Sequence, residues 1–146
     1  MLLSRAALYG QGEDLHIAVW PGSTRNTRDI TRFIALEARS YVASVSGLMR
    51  CEDIGAGSDW KTRMSAAAPP VLADGGSCLA GPDGEWIIPP APAEETLHTA
   101  TIDFRRVFEE RQNFDPSGHY SRPDVTRLLV DRRRQGIVEF SKEDGT

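Results

Sequence analysis

RAALYGQGEDLHIAVWPG, residues 5–22, is the stretch whose reading decides the fold. The helix that opens it carries Leu3, Ala6, Ala7 and Gly10 on one face, the spacing of an amphipathic α-helix. It passes through Gln11-Gly12-Glu13-Asp14 into an apolar strand over 15–20, and the strand's composition predicts burial. Pro21-Gly22 then breaks the strand and hands the chain to a loop.

Working outward, Ser23-Thr24-Arg25-Asn26 is a polar loop able to cap a helix begun just after it. Asn26 with Asp29 three residues on is a shortened capping box. A helix is expected over 27–40, with Ile30, Phe33, Ile34 and Ala38 on the stripe that packs against a sheet. A strand is expected over 41–48. Strand, helix and strand joined this tightly form a βαβ unit with parallel strands. Residues 52–70 lack periodicity and read as a long loop with one helical turn around 60–67.

Further on, Gly81-Pro82-Asp83-Gly84 separates two short apolar runs, and each turn residue has a physical part. Pro82 presets φ, Asp83 bonds local backbone and Gly84 accepts positive φ, so a hairpin is expected. Beyond it come a proline-rich spacer (89–92), a strand (97–103) and a short helix (104–111). The tail from about residue 112 ends in a strand-like run at 125–130. The alternation gives an α/β fold with an antiparallel hairpin added to the sheet.

At 146 residues the chain has the length of one ordinary domain, and 40% apolar with 26% charged residues suits a globular protein. A net charge of −4 gives no reason to expect nucleic acid. Arg132-Arg133-Arg134 reads as a solvated strip. No apolar run approaches the ~18 residues of a membrane span, and residues 1–10 lack the form of a signal peptide. Two cysteines make no secreted disulfide framework, so a cytoplasmic protein is expected.

Four segments resemble nitrilases of the carbon–nitrogen hydrolase superfamily, in order. They are residues 5–22, NTRDITRFIALEARSYVASVSGLM (26–49), GGSCLAGPDGEWIIPP (75–90) and RQNFDPSGHYSRPDVTRLLVDRR (111–133). In the last, Asp115-Pro116-Ser117-Gly118-His119-Tyr120-Ser121-Arg122-Pro123-Asp124 is similar to the C-terminal signature of nitrilases proper, as distinct from amidases of the superfamily. The resemblance is to the C-terminal portion of the family's domain and implies half of a four-layer αββα sandwich over 1–146.

The family's reaction is nucleophilic catalysis without a cofactor. A cysteine thiolate attacks the nitrile carbon, a glutamate shuttles protons and a lysine steadies charge on the nitrogen. The family's cysteine stands in a Cys-Trp-Glu turn just ahead of the helix that opens this chain, and no Cys-Trp-Glu occurs among the 146 residues. Lys61 and Lys142 lie outside the matching motifs. The expectation is a truncated, nitrilase-like protein, inactive alone. Two alternatives stand beside it: half of a split enzyme or of one whose reading frame begins upstream, and a non-catalytic module for nitrilase assemblies. The resemblance also implies a homo-oligomer, or association with full-length nitrilase, and a nitrile or amide substrate only once an N-terminal half completes the site.

By the same resemblance Trp20, Pro21 and Gly22 would wall the substrate pocket, while Trp20 as a core plug is an equal reading. Gly118, His119, Tyr120 and Arg122 read as a structural turn tying down the C-terminal segment. Cys51-Glu52 lacks the family's tryptophan and reads as a surface thiol, Cys78 as a buried inert one. His16 reads as a hydrogen-bonded sheet residue and His98 as exposed near an edge. No metal-ligand spacing joins the three histidines. Neither Gly10-Gln11-Gly12 nor Gly75-Gly76 has the form of a phosphate loop.

Overall fold

The computed structural model describes residues 2–55, 57–64, 68–133 and 136. Its elements run α1 (Leu2–Tyr9), β1 (Leu15–Trp20), α2 (Thr24–Ala38), β2 (Tyr41–Ser46), β3 (Leu48–Arg50), a 3-10 turn at Cys51–Asp53 and α3 (Asp59–Met64). Then come β4 (Val71–Asp74), β5 (Cys78–Ala80), β6 (Trp86–Ile88) and α4 (Arg105–Asn113). The fold is α/β with a mixed four-stranded sheet in the order β1-β2-β5-β6, and β3 pairs with β4 in a separate two-stranded ribbon.

The βαβ unit forms as expected: β1 and β2 are parallel and in register from Leu15 opposite Tyr41 to Trp20 opposite Ser46. The expected strand over 41–48 is instead two strands, because Gly47 bends the chain so that β3 leaves the main sheet for β4. The hairpin also forms, with Gly84 N–H bonded to Gly81 O and Gly81 N–H to Glu85 O. At Gly84 φ is +76°, and a Cβ there would stand 2.6 Å from Leu36 Cγ, so a side chain is excluded twice over.

α2 covers one face of the sheet. Ile34, Ala35 and Ala38 pack with Tyr9, Val42 and Ala80, and Ile30 and Trp86 close the rim of this core. Phe33, expected on the buried stripe, is half exposed and lies beside the Arg5 guanidinium. Thr27 and Thr31 occupy the buried stripe instead. The helix also begins three residues before the expected start. Its N-terminus is capped from outside the local sequence, by the Asp74 carboxylate accepting Thr24 N–H at 2.6 Å. The Asn26–Asp29 box gives way to this: Asn26 Nδ2 donates to Gly22 O.

On α1 the expected stripe is displaced. Leu3 and Gly10 are exposed, and Tyr9 is the buried anchor, donating to Glu37 at 2.7 Å while Arg5 bonds both. A tyrosine with a carboxylate partner across the interface takes precedence over an apolar residue at the helix edge.

β1 is where expectation and structure part most. Its residues are a strand with the expected bounds, but only Ala18 is buried, and on the other face Ile17 is 56% and Val19 79% exposed. Parallel partners share a face, so Ile17, Ala43, Leu79 and Ile88 belong to the side away from α2. No described element covers β1 on that side.

The strands expected over 97–103 and 125–130 are irregular, mostly exposed chain with no ladder partner among the described residues, and the second opens in a turn where Val125 and Thr126 N–H donate to Arg122 O. The first is tied at its end, where Tyr41 Oη donates to Asp103 O at 2.8 Å and the ring meets Phe104 edge-on. α4 begins one residue later and ends two residues later than expected, and it buries Val107. The helical turn expected at 60–67 is found as α3, with residues 65–67 outside the described part. Of the arginine strip, Arg132 and Arg133 are exposed and Arg133 pairs with Asp131, while Arg134 lies outside the described residues.

Candidate functional site

Trp20, Pro21 and Gly22 lie together at the C-terminal end of β1, between the start of α2 and the bend at Gly47. Trp20 is partly exposed, and its indole N–H points inward, donating to Ser44 Oγ at 3.1 Å. Trp20 O accepts Gly47 N–H. Pro21 is exposed. Gly22 is buried at φ +137°, and a Cβ on it would stand 2.4 Å from Ala73 Cβ and 2.7 Å from Gly47 O. Gly22 is therefore the wedge that lets β4 approach this corner. Trp20 stands between its two expected roles: its nitrogen is committed to the interior and part of its surface to solvent.

A polar layer that sequence reasoning missed lies directly beneath. Thr31 Oγ1 donates to Thr27 O at 2.5 Å and lies 2.6 Å from Ser44 Oγ. Thr27 Oγ1 donates to Gly76 O at 2.8 Å. Thr27, Thr31 and Ser44 are all buried. The signal was present: two threonines four residues apart fall on the stripe of Ile34, and polar groups in a buried stripe must find partners.

A cavity of about 400 Å³ opens on the other side of the sheet. Its floor includes Leu15, Ala43, Val45, Leu79 and Ile88, and the run around Leu97 and His98 forms one wall. Trp20, Pro21 and Gly22 do not line it. The space is mostly apolar, with Ser44, Ser77, Cys78, Thr96 and His98 also in its lining, and no carboxylate, lysine or arginine lines it among the described residues.

The thiols differ in kind. Cys78 is buried and donates to Thr31 Oγ1 at 3.5 Å, and burial pushes its pKa up. Cys51 is partly exposed at the 3-10 turn and donates to Pro69 O at 3.1 Å. Neither proton is handed to a base. A thiol reagent should therefore label Cys51 in the native chain and reach Cys78 only on unfolding. Peptide mapping after brief alkylation, with and without urea, checks this; native labelling of Cys78 would contradict it.

His16 is mostly buried and lies 2.9 Å from Glu13. His98 is exposed at the cavity wall, and His119 is exposed against the Tyr120 ring. Among the described residues no group of histidine, cysteine, aspartate and glutamate is arranged to hold a metal. No described helix is long and apolar enough to cross a membrane.

The turn containing Gly118, His119, Tyr120 and Arg122 is built by Asp115. Its carboxylate accepts Ser117 N–H and Gly118 N–H, and its carbonyl accepts Tyr120 N–H. Arg122 pairs with Asp124, and its carbonyl accepts Val125 and Thr126 N–H. Tyr120 packs on Phe114, whose ring lies under Arg39. Arg39 pairs with Glu110, and Arg111 with Asp14, so α4 carries the turn to the start of β1. Gly118 lines a cleft there with Tyr9, Gly10 and Gly12. The turn and the Trp20 corner thus stand at opposite ends of β1.

Sheet, helix and corner define an α/β protein whose distinctive loop comes after a parallel strand and is locked by a wedge glycine. Sequence comparison narrows this to a family. The chain is similar to an aliphatic nitrilase of Rhodococcus rhodochrous, with 32% identity over 98% of this chain and 40% of that protein. It is similar to a nitrilase 2 from an unknown prokaryotic organism, with 34% identity over 99% of this chain and 44% of the relative. An arylacetonitrilase of Aspergillus niger shows 32% identity over 94% of this chain and 44% of its own length. No family profile matches the chain. The chain is a partial nitrilase homologue, spanning about two-fifths of the length of the curated relatives it matches.

Proposed function

We propose that this chain is one portion of a nitrilase-type hydrolase, contributing the Trp20–Gly22 wall of a substrate pocket and the C-terminal turn, and that it is catalytically silent alone. The observation that carries the reading is the state of its thiols. The family's route needs a thiolate that attacks the nitrile carbon, giving a thioimidate. One water then releases ammonia to leave a thioester, and a second water releases the acid. Cys78 has its pKa raised by burial and Cys51 is bonded to a carbonyl, so neither is prepared for that attack. The partial coverage of all three nitrilase relatives supports the same reading.

On this reading the chain works in the cytoplasm, as a homo-oligomer or beside full-length nitrilase, and meets a nitrile or amide only once an N-terminal portion completes the site. Gly118, His119, Tyr120 and Arg122 serve structure within it, because the turn closes on its own backbone.

The test is ammonia release from a panel of aliphatic and aromatic nitriles. The 146-residue chain alone should match a no-protein blank. Co-expression with a nitrilase N-terminal fragment ending just after its Cys-Trp-Glu turn should give ammonia that requires both pieces. That activity should vanish when the supplied cysteine becomes alanine. Association must offset several kcal/mol of lost rigid-body freedom, so micromolar concentrations of both pieces are appropriate. Ammonia from the chain alone would overturn the reading, and Cys51→Ala and Cys78→Ala would then show which thiol is responsible.

A further inference from the structure

We propose that Thr31 and Ser44 are positioning residues for Trp20, forming a one-way hydrogen-bond relay that fixes the indole at the corner after β1. The direction comes from counting protons. Thr31 has one hydroxyl proton, and it goes to Thr27 O at 2.5 Å. The 2.6 Å contact between Thr31 and Ser44 must then carry the Ser44 proton toward Thr31. Ser44 Oγ is left to accept, and Trp20 Nε1–H, a donor only, fills it at 3.1 Å. The relay runs Trp20 to Ser44 to Thr31 to the Thr27 carbonyl, from β1 across β2 into α2.

Two features make this more than filling. Thr27, Thr31 and Ser44 are each at most 2% exposed, so water does not compete for these bonds. In a chain of bonds pointing one way, each donor polarises the next, so loss of the distant hydroxyl is felt at the indole. Cys78 donates to the same Thr31 oxygen at 3.5 Å, filling its remaining acceptor site. The consequence at the corner is chemical. The indole nitrogen is occupied inside, and Trp20 turns only carbon toward whatever lies beyond β1. Its bearing on substrate rests on the reading of Trp20 as a pocket wall.

The test reads the indole directly. Ultraviolet resonance Raman of the full chain tracks indole N–H to N–D exchange whatever the state of association. In the unaltered chain Trp20 should exchange more slowly than Trp60, which is 69% exposed. Ser44→Ala should speed Trp20 exchange about fivefold, the equivalent of one ordinary net hydrogen bond. Thr31→Val, one bond further along the relay from the indole N–H, should speed it about twofold, and Thr31→Ser should restore the slow rate. The differences should disappear in a Trp20→Phe background. Far-UV circular dichroism identifies any variant that does not fold, and Trp20→Phe and Trp60→Phe assign the contributions of those two indoles apart from that of Trp86.

Equal exchange at Trp20 and Trp60 would overturn the proposal. So would a folded Ser44→Ala with unchanged exchange, or a folded Thr31→Ser as fast as Thr31→Val. In the two-piece enzyme Ser44→Ala should raise KM for nitriles with kcat little changed. Faster exchange with an unmoved KM would keep the relay and remove the pocket-wall reading, which separates the two failures.

Discussion

Gly22→Ala should cost the chain a large part of its stability, roughly 2–6 kcal/mol. That range joins about 1–3 kcal/mol for holding an L residue in a backbone region it rarely adopts to about 1–3 kcal/mol for overpacking. Both causes are present at this one position. φ is +137°, and the added methyl would lie 2.4 Å from Ala73 Cβ and 2.7 Å from Gly47 O. Neither neighbour can yield cheaply, because Ala73 is paired in β4 and the Gly47 oxygen is main chain at the bend between β2 and β3. An ordinary domain has only about 5–15 kcal/mol in total. Urea unfolding monitored by circular dichroism checks the effect. Gly55→Ala is the control, since a Cβ at Gly55 meets nothing within 4 Å and its φ is outside the strained range. A Gly22→Ala chain within about 0.5 kcal/mol of the unaltered one, the range of an ordinary surface substitution, would refute the wedge.

That glycine was legible as a strand breaker and illegible as a wedge. Pro21-Gly22 marks the end of β1 from sequence, since a breaker pair after an apolar run needs only local reasoning. What Gly22 touches depends on β4, far along the chain, in residues to which the sequence assigned no element, just past the long loop at 52–70. Asp74 shows the same split. Local rules predicted that α2 would cap itself through Asn26 and Asp29, and the cap came from across the chain.

The hairpin at Gly81–Gly84 was readable in full because its turn chemistry is contained in four residues. Helix existence was readable too, but not which stripe is buried: Thr27 and Thr31 displaced Phe33 because Ser44 and Gly76 O waited as partners on the facing elements. The candidate corner divides likewise. Trp20, Pro21 and Gly22 were singled out by resemblance. The hydroxyls that hold Trp20 needed the pairing of β1 with β2 before they could be seen.

The largest disagreement, the exposure of β1, supports the second large effect: the isolated chain should associate, and two substitutions on β1 should abolish that association. Ile17 and Val19 point away from α2, with Val45 of β2 opposite Val19 in register and itself half exposed. Full burial of side chains of this size is worth about 1.5–3 kcal/mol each, so three neighbours give a substantial drive to cover the face. β1 is also an edge strand among the described strands, and the stretch 127–130, which joins no described strand, is exposed, Leu129 to 85%. Ile17→Thr with Val19→Lys keeps residues suited to a strand, Thr by its β-branching, while making the face polar.

The unaltered chain should scatter light as an associated species and bind an apolar dye, and the double variant should do neither. Its urea midpoint should stay close to that of the unaltered chain at low concentration, because neither side chain contributes to the core beneath α2. The two measurements together separate loss of association from loss of fold. A monodisperse unaltered monomer that binds no dye would sink the prediction, whatever the variant did. If the unaltered chain associates and the variant associates equally, the contact runs through the edge of β1 or the stretch 127–130, and the apolar face is not what drives it.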